Sequence, residues 1–346
     1  MIDASNCVAQ LARVDRASSA AHTRDDSTVQ GRCGSAVLPT AHVGYAHCMG
    51  ALLAHAGQPI VPHDLWSSWG FDPVVYNALI LSGWLYGRGF RRWRGVSRGA
   101  RVATVGRAAP FYGGLLVCWL ALESPVDALG SALFSGHMVQ HELLAVVAAP
   151  LLVLGRPSVV MVRGLPRSWW PAVSRTLRRT VARVQPSSDA TLTTAVFLLF
   201  FTSFWLWHVP RLYDAAVRSD LVHSLQHATF LGGAVVFWAT IFGRRVRRNG
   251  LIGAGLVAPA FLTGAWGGAL FTFSRVPLYD AYRTTTEPWG LTPVGDLNIG
   301  GAVMLTAGPV YLAAAAWLFL RAVRRSERVD GLLTAGPYWS RQEPAS

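Results

Sequence analysis

The sequence predicts an all-α membrane protein, a bundle of seven transmembrane helices with the N-terminus outside and the C-terminus in the cytoplasm. The 346 residues are 52% hydrophobic and only 14% charged, whereas a soluble domain is roughly 25% charged. Apolar stretches recur that are long enough to cross a hydrocarbon core of about 30 Å. The arginines concentrate in alternate connections between these stretches, a pattern that orients helices in a bilayer.

The formal charge of +13 would suggest a nucleic-acid partner if the protein were soluble. Here every basic residue is an arginine, and most arginines lie between apolar stretches. We therefore interpret the charge as a determinant of membrane topology. The expected environment is a lipid bilayer, and no nucleic-acid partner is expected.

The chain begins with a segment that is less apolar than the rest. Residues 1–35 are polar and predicted to be disordered. Residues 36–56 are weakly apolar and end in a small-x-small triplet, which fits the cleavage site of a signal peptide. A cleaved signal peptide and an uncleaved additional helix both fit this segment. The predicted organisation is a tail with a possible signal peptide at 1–56, a seven-span membrane domain at 57–325 and a cytoplasmic tail at 326–346.

Seven spans are predicted from apolar length and flanking residues. The connection after the first span carries seven arginines, whereas the next carries Glu123 and Asp127 and no arginine. The alternation continues to the arginine-rich segment after the last span, which places the C-terminus in the cytoplasm. The approximate bounds of the spans are 72–88, 107–123, 131–155, 191–209, 221–243, 251–273 and 297–320.

The connection after the third span has a pattern of its own. Trp169 and Trp170 are followed by Arg175 and further arginines at helical spacing. This pattern predicts an amphipathic helix on the inner membrane surface. A solvated basic loop is the alternative.

Two histidine pairs are the main candidate for a functional site. His137 and His141 are four residues apart in the third span, and His223 and His227 repeat the spacing at the start of the fifth. Side chains at i and i+4 share one face of a helix. If the third span begins at Ser131, its histidines lie about 9 and 15 Å below the outer end at about 1.5 Å per residue. Both pairs therefore belong to the outer half of the membrane.

His208 ends the fourth span and is expected at the same outer level as the two pairs. Imidazole is the commonest metal ligand in proteins and suits copper, zinc and iron. Two pairs on neighbouring helices together with His208 therefore predict a metal site. The alternative is a set of hydrogen-bonded histidines that only pack the helices together.

Four residues next to the histidines are possible accessory groups. Gln140 and Gln226 could orient imidazoles or form hydrogen bonds between helices. Met138 is about 100° from its neighbouring histidine around the helix and is expected to pack, not to ligate. Glu142 is a carboxylate within a span, so it is a candidate for a ligand or a proton-handling group. As the neighbour of His141 it should point away from the histidine face.

Asp296 is the remaining accessory candidate, near the outer end of the seventh span. It could cap that helix, act as a hard ligand, or hold a histidine nitrogen. The following pair Gly300-Gly301 would permit close approach of another helix.

A short pattern occurs twice on the outer side. Val-Pro-Arg-Leu-Tyr-Asp-Ala at 209–215 resembles Val-Pro-Leu-Tyr-Asp-Ala at 276–281. The match suggests a degenerate duplication of the fourth-fifth and sixth-seventh spans.

Taken together, these motifs resemble a known family. The run His-Met-x-x-His-x-Leu-Leu followed by Ala-Pro-Leu-Leu-x-Leu-Gly-x-Pro spans 137–157, and Trp-His-x-Pro-x-x-Tyr-Asp spans 207–214. With His223, His227, Asp296 and Gly300-Gly301 they look like the polytopic CtaG family of cytochrome c oxidase assembly factors. The resemblance implies a multi-pass protein of the bacterial plasma membrane, cytochrome c oxidase subunits as partners, and transient copper binding for delivery to the oxidase.

The chain departs from the family pattern at three positions. Glu142 stands where members often have methionine, Leu297 where they have glutamine and Leu305 where they have tryptophan. The substitution at 142 suggests altered metal chemistry.

The function expected from sequence is that of an assembly factor, not an enzyme, because no nucleophile-base pair or hydrolytic motif is present. Neutral imidazoles would hold copper near the outer surface and pass it to an oxidase subunit. Three alternatives remain open: a membrane cytochrome with the histidines as axial haem ligands, a copper permease, and a structural oxidase partner whose histidines only pack.

Overall fold

The computed structural model of the chain describes residues 60–95, 104–184, 188–243, 246 and 250–334. The predicted tail and possible signal peptide at 1–56 lie outside these ranges. The described residues are 84% helical and contain no strand, so the all-α prediction is confirmed for this part of the chain.

The described helices are numbered in chain order. α4 contains a π-helical turn at Leu143–Ala148. The bounds are α1 Pro73–Arg94, α2 Val105–Glu123, α3 Pro125–Ala132, α4 Phe134–Leu154, α5 Pro157–Gly164, α6 Trp170–Val184, α7 Asp189–Trp207, α8 Pro210–Arg218, α9 Asp220–Ile241, α10 Gly250–Thr272, α11 Pro293–Leu305 and α12 Gly308–Thr334.

Each of the seven predicted spans coincides with a long helix or helix pair: α1, α2, α4, α7, α9, α10 and α11 with α12. Among the described residues, four of these are long and apolar enough to cross a membrane. They are α2, α4, the Ile252–Thr272 part of α10, and the Pro293–Arg321 stretch of α11 and α12. A fifth is counted if α7 and α8, which bend by 73°, form one broken span. The fold is therefore that of a helical protein with several candidate membrane spans.

The start of α4 differs from the sequence prediction. Leu133 is extended, with φ −133° and ψ 136°, and separates α3 from α4. The third span therefore begins at Phe134, not at Ser131. At about 1.5 Å per residue, His137 and His141 lie roughly 4.5 and 10.5 Å beyond the start of α4, closer to that end of the helix than predicted.

α4 is packed on several sides. It contacts α2, α3, α9 and α11. Trp238 of α9 donates its indole N–H to the carbonyl of Ala145, at 2.9 Å, within the π-helical turn. A buried cluster that includes Cys118 and Leu144 fills the contact with α2. The helix that carries the first histidine pair is thus held centrally among its neighbours.

Close packing around α11 depends on its two glycines. A Cβ atom at Gly300 would overlap the ring of Phe134, and one at Gly301 would overlap the backbone of Thr272. The prediction that this pair permits close helix approach is confirmed.

The two copies of the repeated pattern contact each other. The carboxylate of Asp214 accepts hydrogen bonds from the backbone N–H groups of Asp280 (3.3 Å) and Ala281 (3.0 Å). The rings of Tyr213 and Tyr279 lie 4.2 Å apart. The second copy thereby holds the connection between α10 and α11 against α8.

The amphipathic segment predicted after the third span forms α6. Trp170 at its start donates to the Leu165 carbonyl at 3.0 Å, and Arg163 lies over the Trp170 ring at 4.5 Å. The helix is confirmed; its position on the inner membrane surface stays a prediction.

Candidate metal centre

The N-terminal end of α4 is fixed by a carboxylate from another helix. Asp296 of α11 is fully buried and accepts hydrogen bonds from the backbone N–H of Phe134 (2.6 Å) and of Ser135 (3.1 Å). The hydroxyl of Ser135 donates to it as well, at 2.5 Å. A carboxylate at a helix N-terminus satisfies unpaired N–H groups and interacts favourably with the helix dipole.

Of the three roles considered for Asp296, capping of its own helix is therefore wrong. Thr292 caps α11, accepting from the N–H of Gly295 at 3.0 Å. Asp296 lies four residues further on. Its three hydrogen bonds to the first turn of α4 position the helix that carries His137 and His141. A sequence cannot show which neighbouring helix a buried carboxylate caps.

Three histidines form the centre of the site. His137 and His141 of α4 and His227 of α9 are each at most 7% exposed. One ring nitrogen from each can be chosen so that all three lie within 4.8 Å of one another. The Nε2 atoms of His137 and His141 are 3.0 Å apart. We call these three residues the histidine cluster.

His223 lies at the edge of the histidine cluster. Its ring centroid is 4.1 Å from that of His227 and 5.1 Å from that of His137. It is half-buried, whereas the cluster residues are buried. Both predicted pairs therefore meet, as their equal spacing on neighbouring helices suggested.

His208 is held differently. Its Nδ1–H donates to the carbonyl of Phe204 at 2.7 Å, and its ring stacks on the Phe204 ring at 4.5 Å. Its Nε2 is buried with no hydrogen-bond partner among the described residues. His208 is absent from the three-ligand group and lines a separate cavity together with His141.

The contacts of Tyr282 favour one tautomer of His137. The hydroxyl of Tyr282 donates to the carbonyl of Gly130 at 2.8 Å and lies 3.4 Å from Nδ1 of His137. Its oxygen can therefore accept from Nδ1–H, which leaves Nε2 of His137 as the lone-pair nitrogen. A metal-bound histidine commonly donates its other N–H in this way.

Several imidazole nitrogens have no partner. Nδ1 of His141 and the Nε2 atoms of His223 and His227 are buried without a hydrogen bond among the described residues. Burying an unpaired polar atom is costly, and such atoms in folded proteins usually have a ligand, an ion or water. The donor set is therefore one that a transition metal fits, because coordination would satisfy these nitrogens.

The two glutamines differ in what they contact: Gln140 bonds to other helices, whereas Gln226 lies beside an imidazole. Gln140 donates to the Ala121 carbonyl at 2.8 Å and to Asp127 at 2.6 Å, so the interpretation as a bond between helices is confirmed and the orienting role is wrong. Gln226 lies beside His137, yet its amide oxygen and nitrogen are both buried and unpaired among the described residues.

Asp127 on α3, which accepts a hydrogen bond from Gln140 of α4, is a titratable group beside the site. Burial raises the pKa of its carboxyl to about 6, and the hydrogen bond from Gln140 partly offsets this rise. The nearby carboxylates of Glu123, Asp220 and Asp72 raise the pKa further. The charge of Asp127 therefore changes near neutral pH.

A cavity of about 50 Å³ lies against the histidine cluster. Glu142 lines it together with His141, and the prediction that its side chain points away from the face of the histidine pair stays a prediction. His208, which follows α7, and Tyr311 of α12 also line the cavity, which extends the site around α4. Met138 packs in an aromatic cluster, as predicted, and also borders the cavity.

Sequence reasoning missed several residues of the site. Tyr282 contacts His137 from the connection between α10 and α11, and Phe230 stacks on the ring of His141 at 4.3 Å. Met304 lines the cavity from α11. The ring centroids of Tyr213 and His137 lie 5.0 Å apart. Tyr213 belongs to the repeated pattern, so it is the one residue of this set that the sequence pointed to.

The fold and the site define a helical membrane-type protein with a buried imidazole cluster near one end of its central helix. The family described as cytochrome c oxidase caa3 assembly factor (Caa3_CtaG) matches residues 84–325, and the chain belongs to that family. The resemblance drawn from the motifs is thereby confirmed.

The chain is also similar to uncharacterized mycobacterial proteins. It is 30% identical over 283 residues to one of Mycobacterium leprae (strain TN), a match covering 75% of this chain and 40% of that protein. It is 29% identical over 281 residues to one of Mycobacterium bovis and one of Mycobacterium tuberculosis, covering 79% of this chain and 42% of each. The chain thus spans about two fifths of these relatives' length. No solved structure matches it significantly.

Proposed function

We propose that this chain assists the maturation of a haem-copper cytochrome c oxidase by holding copper in the histidine cluster and presenting it to an oxidase subunit. The observation that carries the proposal is the three buried imidazoles from α4 and α9 with nitrogens within 4.8 Å of one another. Membership of the assembly-factor family supports the receiving partner.

The proposed topology has seven spans in a bacterial plasma membrane, with the N-terminus outside. It is supported by the alternation of arginine-rich and arginine-poor connections and by seven long helices or helix pairs at the predicted spans. In this topology the N-terminal ends of α4 and α9 both lie at the outer surface. The histidine cluster then lies just below the outer surface.

Copper would be cargo, not a resident cofactor. Neutral imidazoles provide ligands without added charge, and Asp296 fixes the helix that presents two of them. His223 is half-buried beside the cluster, so it would be the first ligand that a docked acceptor could replace. Transfer by ligand exchange forms no covalent bond to substrate, which is consistent with a non-enzymatic role.

The packing of the site favours copper over haem. The rings of His137 and His227 are 5.8 Å apart and those of His141 and His227 are 5.4 Å apart. The adjoining cavity of about 50 Å³ is too small for a porphyrin. Beyond Glu142, α4 is apolar as far as Leu154. A permease would require polar side chains toward the inner end of the helix to carry a cation across, and α4 offers none there.

The proposal is tested in cells that lack the chain and carry a plasmid copy. The variant His137→Asn/His141→Asn should yield oxidase with its subunits present but with copper reduced severalfold. The control is His63→Asn, because His63 is exposed and pairs with the neighbouring Asp64 at 3.4 Å, away from the histidine cluster. Normal oxidase copper in the double variant, at matched protein levels, would remove the delivery role.

A further inference from the structure

The cavity beside the histidine cluster has its own set of donor groups. It is lined by two thioethers, two imidazoles, one carboxylate and two hydroxyls, contributed by Met138, Met304, His141, His208, Glu142, Ser203 and Tyr311. These residues come from α4, α7, α11 and α12, and His208 directly follows α7. The proposed delivery role of the histidine cluster uses only one of them, His141.

Three buried polar atoms at this cavity lack partners. Nε2 of His208, Nδ1 of His141 and Oγ of Ser203 have no hydrogen bond among the described residues. His208 is 7% and His141 4% exposed. Unpaired atoms at this depth indicate a site that a ligand satisfies, since each otherwise carries a desolvation cost.

The space is open and its walls are mostly apolar. Gly233 and Gly264 line the cavity, and a Cβ atom at either would meet no atom within 4 Å. Phenylalanines 200, 204 and 230 form much of the remaining wall. A volume of about 50 Å³ exceeds the roughly 15 Å³ that one water needs, so an ion with a small ligand shell fits.

The donor types select the ion. Thioethers are soft ligands that favour monovalent copper. The described residues include three methionines, and two of them, Met138 and Met304, line this cavity while both are at most 4% exposed. Glu142 is the one charged residue among the lining residues, and its carboxylate would neutralise a monovalent cation in an apolar setting.

We propose that this cavity is a second copper(I) site, with Met138, Met304 and His208 as ligands and Glu142 as the compensating charge. His141 lines it and also belongs to the histidine cluster, so it lies between the two sites. An ion held by the histidine cluster would then lie next to a second binding position with softer, thioether ligands. The inference rests on the proposed function for the identity of the cargo.

The test is anaerobic titration of the purified full chain with copper(I) against a chromophoric chelator, with X-ray absorption at the copper edge. The wild type should bind two equivalents and show sulfur scattering. Met138→Leu/Met304→Leu should keep one equivalent and lose the sulfur signal. The control is Met161→Leu, since Met161 packs against the cluster around Tyr86 and not at the cavity; it should keep both equivalents.

A second variant separates this inference from the proposed function. His223→Ala/His227→Ala should also keep one equivalent, now with the sulfur signal retained. If the wild type binds only one equivalent of copper, and the histidine variant binds none, the second site is overturned. The histidine cluster would then remain the one copper site. The second site would also be overturned if Met138→Leu/Met304→Leu still bound two equivalents. The same holds if copper bound to the wild type showed no sulfur ligands.

Discussion

The hydroxyl of Tyr282 lies 3.4 Å from Nδ1 of His137 and donates to the carbonyl of Gly130 at 2.8 Å. A residue of the connection between α10 and α11 thereby offers an acceptor to Nδ1–H of His137, and in that tautomer Nε2 carries the lone pair. With Nδ1–H directed at Tyr282, Nε2 faces His141 at 3.0 Å. The connection thus positions a ligand of the histidine cluster, as partners of metal-bound histidines do.

Removing this hydroxyl should weaken the cluster and leave the fold in place. In Tyr282→Phe the ring still fills its place among the aromatic residues around Phe134, but Nδ1 of His137 loses its contact with the hydroxyl. We expect the affinity for copper(I) to fall about tenfold, measured by chelator competition. Tyr112→Phe is the control, because it removes a hydroxyl that donates to Gly83 away from the site. Equal affinities in both variants would contradict the positioning role.

Removing the cap of α4 should destabilise the protein. Asp296→Ala deletes a buried carboxylate that accepts three hydrogen bonds from Phe134 and Ser135. We expect a loss of about 2 kcal/mol or more in the free energy of unfolding, measured by denaturation in detergent micelles.

The matched control for the cap is Asp280→Ala. Its carboxylate is exposed and pairs with Arg283 on the surface at 2.6 Å, so its loss should change the free energy by less than about 1 kcal/mol. A loss of similar size in both variants would show that the cap of α4 adds no special stability.

Asp127 should make stability depend on pH. Its folded pKa of about 6 exceeds its ordinary value of 3.8, so the folded state binds more protons between these values. The stabilising contribution of the neutral form is therefore present below about pH 4 and is lost as the pH rises through 6, by at most about 3 kcal/mol.

The comparison that isolates this effect is Asp127→Asn, which keeps an acceptor for Gln140. The variant should gain stability relative to the wild type between pH 4 and pH 7 in denaturation experiments. A constant difference between the two proteins over this range would show that Asp127 does not titrate there.

Two helical glycines should respond oppositely to alanine. A Cβ atom at Gly301 would overlap the backbone of Thr272, whereas one at Gly232 meets no atom within 4 Å. Gly301→Ala should cost about 1–3 kcal/mol through forced separation of α10 and α11. Gly232→Ala should be neutral or stabilise by up to about 1 kcal/mol. Thermal unfolding of both variants measures the difference, and a stable Gly301→Ala would contradict the close helix contact.

Local patterns predicted much of the fold and part of the site. Apolar length located the long helices, and the i, i+4 spacing located the two histidine pairs that meet between α4 and α9. Both signals are contained in a single helix, so sequence carries them directly.

Contacts between distant segments could not be predicted in the same way. Asp296 caps a helix 161 residues earlier in the chain, Tyr282 reaches His137 from a connection, and Glu142 lines a cavity together with residues of α7 and α12. The predicted start of the third span was too early because Leu133 is extended and separates α3 from α4. Apolar composition does not distinguish one continuous helix from two.

The most direct test of the central claim is copper(I) binding by the purified chain, wild type beside His137→Ala/His141→Ala, under anaerobic conditions with a visible spectrum. The account predicts stoichiometric copper in the wild type, loss of at least one equivalent in the double variant, and no haem absorption band in either. Equal copper in both proteins, or none in the wild type, would contradict the histidine cluster as a copper-presenting site.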